Sequence, residues 1–229
     1  MHDLLHWLRG FWPAPVTASR RERLLGCVGA AAGLLFSEAI SRYALGDAHP
    51  WFVAPMGASA VLLFAVPASP LAQPWSILGG NLVAALVGVA CGMWLGHTGL
   101  AAAVAAAVAM GLMFGLRCVH PPSGAVALTA VLGGPAVYQL GFQFVLWPVL
   151  LNSVLLLAFA IAFNNATLRR YPHHTRSAAS PVSTTAAITR EDLHAVLTAR
   201  GELLDISEDD LEEIIAAAEL RAQSRATLR

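Results

Sequence analysis

The middle of this sequence has almost no charge. Only four charged side chains lie between positions 24 and 168: Glu38, Arg42, Asp47 and Arg117. A soluble domain of that length needs a charged exterior, and this stretch cannot supply one. Charged residues make up 12% of the chain, about half the usual share, and the mean hydropathy is +0.63. The composition therefore excludes a water-soluble globule and indicates lipid as the solvent.

Other residue types are also scarce. Lysine is absent, and all fourteen basic residues are arginine. The three cysteines (Cys27, Cys91 and Cys118) are far apart and odd in number, so we expect neither a disulfide framework nor a zinc site. No nucleophile–base arrangement, phosphate loop or cluster of metal ligands is recognisable. We therefore expect no enzyme, no metal, no cofactor and no nucleic-acid partner.

The first twelve residues do not resemble a cleavable secretory signal. They place leucine, tryptophan and phenylalanine around His6 and Arg9, which predicts a short interfacial helix with aromatic anchors.

Four long apolar runs predict membrane-spanning helices, at residues 24–45, 75–95, 100–116 and 141–163. Two shorter apolar segments start at Pro55 and Pro122. Each has about a dozen residues, or roughly 18 Å of helix, against a hydrocarbon core of about 30 Å. The expected fold class is all-α, a polytopic membrane helical bundle whose second helix in each half is broken or short.

The two short segments look alike. Both read P-x-G-A-x-A-aliphatic, 67 positions apart, and each lies between two long spans. Three passes per unit is an odd number, so two tandem units must have opposite orientations. That is the inverted-repeat plan of many transporters. The alternative is that apolar sequences rich in alanine, glycine and proline resemble each other by chance.

Arginine placement predicts the orientation. Arginines precede the first span and follow the last: Arg9, Arg20, Arg21, Arg23, Arg169, Arg170 and Arg176. Both termini should therefore be cytoplasmic, in what the lysine-poor, alanine-rich composition suggests is a bacterial inner membrane. Six passes agree with this placement, as do four passes with two re-entrant segments.

The chain divides into four parts by composition. An N-terminal interfacial segment (1–23) precedes the transmembrane domain (24–168), and a linker (169–187) leads to an acidic tail (188–229). Ten of the fourteen acidic residues follow Thr189. The tail should form one helix that ends near Gly201 and a second from Glu208 to about Gln223. It is too short to bury a core alone, so we expect it to pack on a second subunit or on the membrane domain.

The two helix starts are the candidate binding site. Proline costs no hydrogen bond at a first helical turn, and the following glycine leaves the backbone open. Each start should present free N–H groups and the positive end of a helix dipole, which suits a small inorganic anion. The candidate residues are Pro55, Met56, Gly57, Ala58, Ser59, Pro121, Pro122, Ser123, Gly124 and Ala125. The alternative is two proline-initiated helices that simply pack through small residues.

Two side chains near the second start are further candidates. Arg117 would attract an anion or bind it with two hydrogen bonds, or it is a snorkelling arginine at a helix end. His120 would donate to the anion or couple proton movement to it, or it is a capping or packing histidine.

Polar residues within the long spans have two interpretations each. Asn81 and Asn152 could hydrogen-bond the unwound backbone and so complete the site, or link helices. Glu38 and Arg42, four residues apart, should form a local ion pair; a proton relay is the alternative.

Three stretches (117–128, 54–63 and 73–81) resemble the motifs of the HPP family of integral membrane proteins, with His-Pro-Pro at 120 to 122. The resemblance covers about residues 20–172. It implies membrane passage of nitrite, because plastid and cyanobacterial members are nitrite transporters. Some members also carry paired cystathionine-β-synthase domains, which we do not expect here. We expect a homodimer; the alternative function is a membrane-anchored regulatory or assembly protein acting through its acidic tail.

Overall fold

The computed structural model describes residues 8, 11, 18–45, 54–173, 190–200, 206 and 208–227. Its helices are α1 (Arg20–Leu45), α2 (Pro55–Ala65), α3 (Pro74–Leu95), α4 (Gly99–Gly115), α5 (Pro122–Leu132), the single turn α6 (Pro135–Tyr138), α7 (Leu151–Ala166), α8 (Arg190–Arg200) and α9 (Glu208–Thr227). A 3₁₀ turn covers Pro70–Ala72, and a π-helical turn, Val145–Leu150, leads into α7. The part of the chain that is described is thus all-α, as predicted. Most of the expected interfacial helix at 1–12 and linker residues 174–187 lie outside it.

Local sequence explains where the helices begin. Ser19 and Glu22 form a capping box: the Glu22 N–H donates to Ser19 Oγ at 3.2 Å, and the Ser19 N–H donates to Glu22 Oε2 at 2.6 Å. This box starts α1 four residues before the predicted span. Thr98 Oγ1 accepts from the Ala101 N–H at 3.2 Å and caps α4. Helices α2, α3 and α5 each begin with proline.

Within the described part of the chain, three helices are long and apolar enough to cross a membrane: Arg20–Ala44, Pro74–Leu95 and Val145–Ala166. Helix α4 has 17 residues, and α2 and α5 have 11 each. Large apolar side chains cover the outside of the bundle, among them Trp94, 83% exposed, and Leu100, 76% exposed. Such an exterior suits lipid contact.

The two units of the predicted repeat are α1, α2 and α3, and α4, α5 and α7. Contacts fix the directions of the helices of the first unit. A Cβ on Gly26 or Gly29, in the first half of α1, would lie 3.0 Å from the Phe64 carbonyl oxygen or 2.6 Å from the Phe64 ring, at the end of α2. Helix α2 is therefore antiparallel to α1. Arg169, just after α7, donates from Nη2 to the Glu22 carbonyl at the start of α1, at 2.8 Å. Helix α7 thus ends on the face where α1 begins.

The second unit runs in the opposite sense. Gly80 of α3 lies against His120 before α5, and Gly88 lies against Ala127, so α3 and α5 are parallel. Trp75 Nε1 donates to the Leu116 carbonyl at 3.0 Å, which joins the start of α3 to the end of α4. The six segments α1, α2, α3, α4, α5 and α7 consequently alternate in direction. The two units start on opposite faces, as an inverted repeat requires.

The third helix of each unit packs on the other unit. Helix α3 lies against α4 and α5, α7 lies against α1 and α2, and the short helices α2 and α5 meet each other. The ends of the short helices are capped across the units as well. His97 Nδ1, just after α3, donates to the Val131 carbonyl of α5 at 2.9 Å. Arg169 Nη1, just after α7, donates to the Phe64 carbonyl of α2 at 2.7 Å, and Asn164 Nδ2 donates to the Leu63 carbonyl at 3.1 Å.

The last span is broken near its start. Pro148 has no N–H, and Trp147 has non-helical backbone angles (φ −129°, ψ 105°). Asn152 Nδ2 donates to the Pro148 carbonyl at 2.8 Å, and Ser153 Oγ donates to the Val149 carbonyl at 2.7 Å. The predicted span at 141–163 is therefore not continuous: α-helix begins only at Leu151, after the π-helical turn.

Candidate functional site

A buried serine–histidine pair lies where α2 meets the start of α5. Ser59 Oγ is 2.8 Å from His120 Nε2, and His120 Nδ1 is 2.8 Å from the Leu71 carbonyl oxygen. Both side chains are 0% exposed. A carbonyl only accepts, so Nδ1 carries a proton; in the neutral imidazole, Ser59 then donates its hydroxyl hydrogen to Nε2.

A glycine allows α5 to start this close to α3. A Cβ on Gly80 would lie 2.8 Å from both His120 Cβ and Ser123 Oγ, and 2.9 Å from the Cys118 carbonyl oxygen. Ser123 Oγ donates to Asn81 Oδ1 at 2.8 Å, and Asn81 Nδ2 donates to Ser153 Oγ at 2.9 Å. This chain of hydrogen bonds ties the first turn of α5 to α3 and α7.

Asn152 is the centre of a second buried cluster of hydrogen-bonded side chains. Its Oδ1 accepts from Ser37 Oγ at 3.1 Å and from Ser41 Oγ at 3.4 Å, which joins α7 to α1. Its Nδ2 bonds the Pro148 carbonyl, so Asn152 both links helices and satisfies the broken backbone. Asn81 bonds only side chains in the structure and links helices.

The two P-x-G-A motifs have the same orientation relative to the interior. In each, the proline and the next residue are buried, the glycine is half-buried and the alanine is exposed: Pro55, Met56, Gly57 and Ala58; Pro122, Ser123, Gly124 and Ala125. A Cβ built on Gly57 or Gly124 meets no atom within 4 Å. The Gly-Ala pairs therefore border open space at the outside of the single chain and do not pack against each other.

The first-turn N–H groups are less free than the sequence suggested. The Gly57 N–H donates to the Ala54 carbonyl at 3.0 Å. The Ser123 and Gly124 N–H groups donate to the carbonyls of His120 and Pro121, at 2.9 Å and 3.1 Å. Residues 54 and 121 are themselves in a helical conformation, so short-range bonds occupy donors that were expected to be open. The positive end of each helix dipole remains.

Arg117 lies at the exposed C-terminal end of α4. Its φ is 55°, the Cys118 N–H donates to the Met113 carbonyl at 2.9 Å, and the Arg117 N–H donates to the Phe114 carbonyl at 3.3 Å. This is the Schellman pattern that ends a helix, normally with glycine at the left-handed position. The placement matches the snorkelling interpretation of Arg117. The predicted ion pair between Glu38 and Arg42 is confirmed, with Oε1 and Nη2 2.8 Å apart.

The structure brings together two reactive side chains that are distant in the sequence. The sequence contains no recognisable nucleophile–base motif, but Ser59 and His120 are in hydrogen-bonding contact. The pair is 61 positions apart, so no local motif signals it. Ser37, Ser41 and Ser153 were also missed as polar partners. No cluster of three or more histidine, cysteine, aspartate or glutamate side chains that could hold a metal ion occurs among the residues described.

The segment between α2 and α3, residues 66–73, is called the connector here. Tyr171 OH donates to the Ala72 carbonyl at 2.7 Å, and the His173 N–H donates to Gln73 Oε1 at 3.0 Å. Burial raises the pKa of Tyr171 above its usual value, so the phenol stays neutral and remains a donor. His173 Nε2 is 2.6 Å from Asp210 Oδ1, which places the acidic helix α9 on the membrane domain. His174 is outside the described residues.

These features define a polytopic helical membrane protein built as an inverted repeat. The chain belongs to the HPP family: the model of the HPP transmembrane region matches residues 15–172. It is also similar to two transmembrane proteins of Dictyostelium discoideum, 36% identical over 136 residues and 39% identical over 120 residues. These matches cover 57% and 50% of this chain, but only 47% and 38% of the relatives, so the chain spans less than half of their length. No solved structure matches.

Proposed function

We propose that the membrane domain passes a small inorganic anion, with nitrite as the first candidate. The observation that carries this proposal is the meeting of two proline-started short helices, within an inverted repeat, at the buried Ser59–His120 pair. Many transporters bind their substrate where the starts of broken helices meet. The choice of nitrite rests on the resemblance to the plastid and cyanobacterial members of the family.

The charges around this region favour an anion. Each helix start contributes about half a positive elementary charge, and a low-dielectric interior strengthens its field. The only carboxylate among the described residues of α1 to α7 beyond the capping residue Glu22 is Glu38, and Arg42 neutralises it. An anion near the two starts therefore meets little opposing negative charge.

The Ser59–His120 pair supplies a way to couple anion binding to a proton. In the neutral state the Ser59 hydroxyl hydrogen is directed at Nε2. When His120 is protonated, Nε2–H donates to Ser59 Oγ instead, and the hydroxyl hydrogen turns away to serve as a donor. A protonated pair thus gains both a positive charge and a free donor, so we expect anion and proton to move together.

Uptake into proteoliposomes tests the proposal. Wild-type protein should take up nitrite in a saturable manner, faster when the outside is acidic, and His120→Gln should lose at least nine-tenths of that uptake and its pH dependence. Ser41→Ala is the matched control, because Ser41 is equally buried but bonds Asn152 near the end of α1. Wild-type uptake no faster than in protein-free liposomes, for nitrite, nitrate, formate and chloride alike, would overturn it.

We also propose that the protein resides in a bacterial inner membrane with both termini cytoplasmic, as the arginine distribution favours. The start of α1 and the end of α7 lie on one face of the molecule, which supports a common side for the termini. In intact cells an impermeant thiol reagent should not label Ser19→Cys and should label Thr98→Cys at the opposite face. The reverse labelling pattern would show the opposite orientation.

A further inference from the structure

The acidic helix α9 is docked at the connector, and the connector also holds His120. A groove of about 560 Å³ lies between them. Its walls are residues 65–69 on one side and Ile206, Asp210, Glu213, Ile214 and Ala217 on the other, with His173 at its edge. The groove is lined mostly by apolar side chains, and α9 contacts the membrane domain through His173 Nε2 and Asp210 Oδ1, which are 2.6 Å apart.

The connector has little structure of its own. It consists of one 3₁₀ turn with its flanking residues, and short turns of that kind are held in place by their surroundings. Gln73 Nε2 donates back to the Pro67 and Ser69 carbonyls at 3.1 Å and 2.9 Å. Its Oε1 accepts from the His173 N–H. The position of Gln73 therefore depends on the segment to which α9 is bound.

The inner side of the connector reaches the candidate site. The Leu71 carbonyl accepts from His120 Nδ1, and this bond orients the imidazole toward Ser59. Hydrogen bonds thus join Asp210 to His173 and His173 to Gln73, and Leu71, two residues before Gln73 in the same connector, bonds His120. Displacing the connector would break the bond to Nδ1, free the imidazole to turn and leave Ser59 without its acceptor.

We propose that α9 is a regulatory latch: docked on the connector through His173 and Asp210, it holds Leu71 against His120 and keeps the Ser59–His120 pair closed. Release of α9 lets the connector move and raises anion flux. This inference rests on the proposed function, because it concerns the regulation of the same site. It also gives the acidic tail a role within its own chain, without a second protein.

The test uses full-length Asp210→Arg and Asp210→Asn, with Glu212→Gln as the matched control. Glu212 is an acidic residue of the same helix that does not line the groove. Two quantities are measured on each protein: amide hydrogen exchange across the connector, and nitrite flux into proteoliposomes. We expect Asp210→Arg to raise connector exchange at least tenfold and flux at least threefold, Asp210→Asn to do so less strongly, and Glu212→Gln to match wild type.

The outcomes separate the two proposals. Unchanged exchange in Asp210→Arg would show that α9 does not hold the connector, and would overturn the latch. Raised exchange with unchanged flux would overturn its regulatory role. Absence of flux in Asp210→Arg as well as in the wild type would instead overturn the proposed function, and the latch as a regulator of flux with it.

Discussion

His120 Nε2 and Ser59 Oγ are 2.8 Å apart in the interior of the membrane domain, although 61 positions separate the residues. Replacing Ser59 with alanine leaves Nε2 buried without its donor, which should cost about 1–3 kcal/mol of stability. We expect Ser59→Ala to fold, to lower nitrite uptake at least tenfold and to lose the response to external pH. Thermal unfolding and proteoliposome uptake measure these effects. Uptake equal to that of Ser41→Ala would contradict the proposed role of the pair.

Three glycines should respond differently to substitution. Gly57→Leu and Gly124→Leu place side chains in the open space beside the helix starts, so the protein should fold. If the anion passes there, each leucine obstructs its path and transport falls at least tenfold. Gly80→Ala forces a Cβ against His120, Ser123 and the Cys118 carbonyl, and such overpacking costs typically about 1–3 kcal/mol. Unfolding temperature and uptake, measured on all three, should separate them. Full transport in both leucine variants would exclude the helix starts as the anion path.

Arg117 allows its backbone and side-chain roles to be separated. A non-glycine residue in a left-handed conformation costs about 1–2 kcal/mol, so Arg117→Gly should stabilise the protein by up to that amount, whereas Arg117→Gln should not. If the guanidinium attracts the anion, both variants should raise the half-saturating nitrite concentration severalfold with little change in maximal rate. An unchanged half-saturating nitrite concentration in both variants would show that Arg117 acts only in ending α4.

The Ser59–His120 distance also fits the serine–histidine dyad of a hydrolase, so an experiment is needed that distinguishes a transporter from an enzyme. Ser59 is 0% exposed and lies inside α2, where the N–H groups that could form an oxyanion hole bond to helix carbonyls. We therefore expect a fluorophosphonate probe to label the wild type no more than Ser59→Ala, as judged by mass spectrometry. Stoichiometric labelling at Ser59 would instead favour an intramembrane enzyme.

Composition and the positions of helix-starting and helix-breaking residues predicted most of the architecture. The charge-poor middle, the two P-x-G-A motifs and the odd number of segments per unit led to an inverted helical repeat, and both short helices begin at the expected prolines. The start of α1 was predicted late, although the Ser19-x-x-Glu22 capping box is readable in the sequence. The break at Trp147-Pro148 was also signalled, because proline interrupts a helix.

The packing could not be predicted in the same way. In lipid, an apolar helix lacks the periodic contrast that identifies the inner face of a soluble helix, so nothing in α3 or α7 shows which unit it joins. The Ser59–His120 contact and the bond from His120 to the Leu71 carbonyl join residues of the two units, so they depend on how the units pack. The exposure of the two Gly-Ala pairs was equally hidden from the sequence, because a motif fixes the start of a helix but not its rotation.

The third helix of each unit packs on the other unit, and this arrangement has a consequence for biosynthesis. The Leu63 and Phe64 carbonyls at the end of α2 accept hydrogen bonds from Asn164 and Arg169, which leave the ribosome about a hundred residues later. An N-terminal half that enters the bilayer first thus holds a short helix whose last carbonyls lack these donors, and unsatisfied backbone groups are costly at a membrane. The two halves must therefore mature together. Fragments cut at the 96–98 turn should be degraded when made alone and should assemble when made in the same cell.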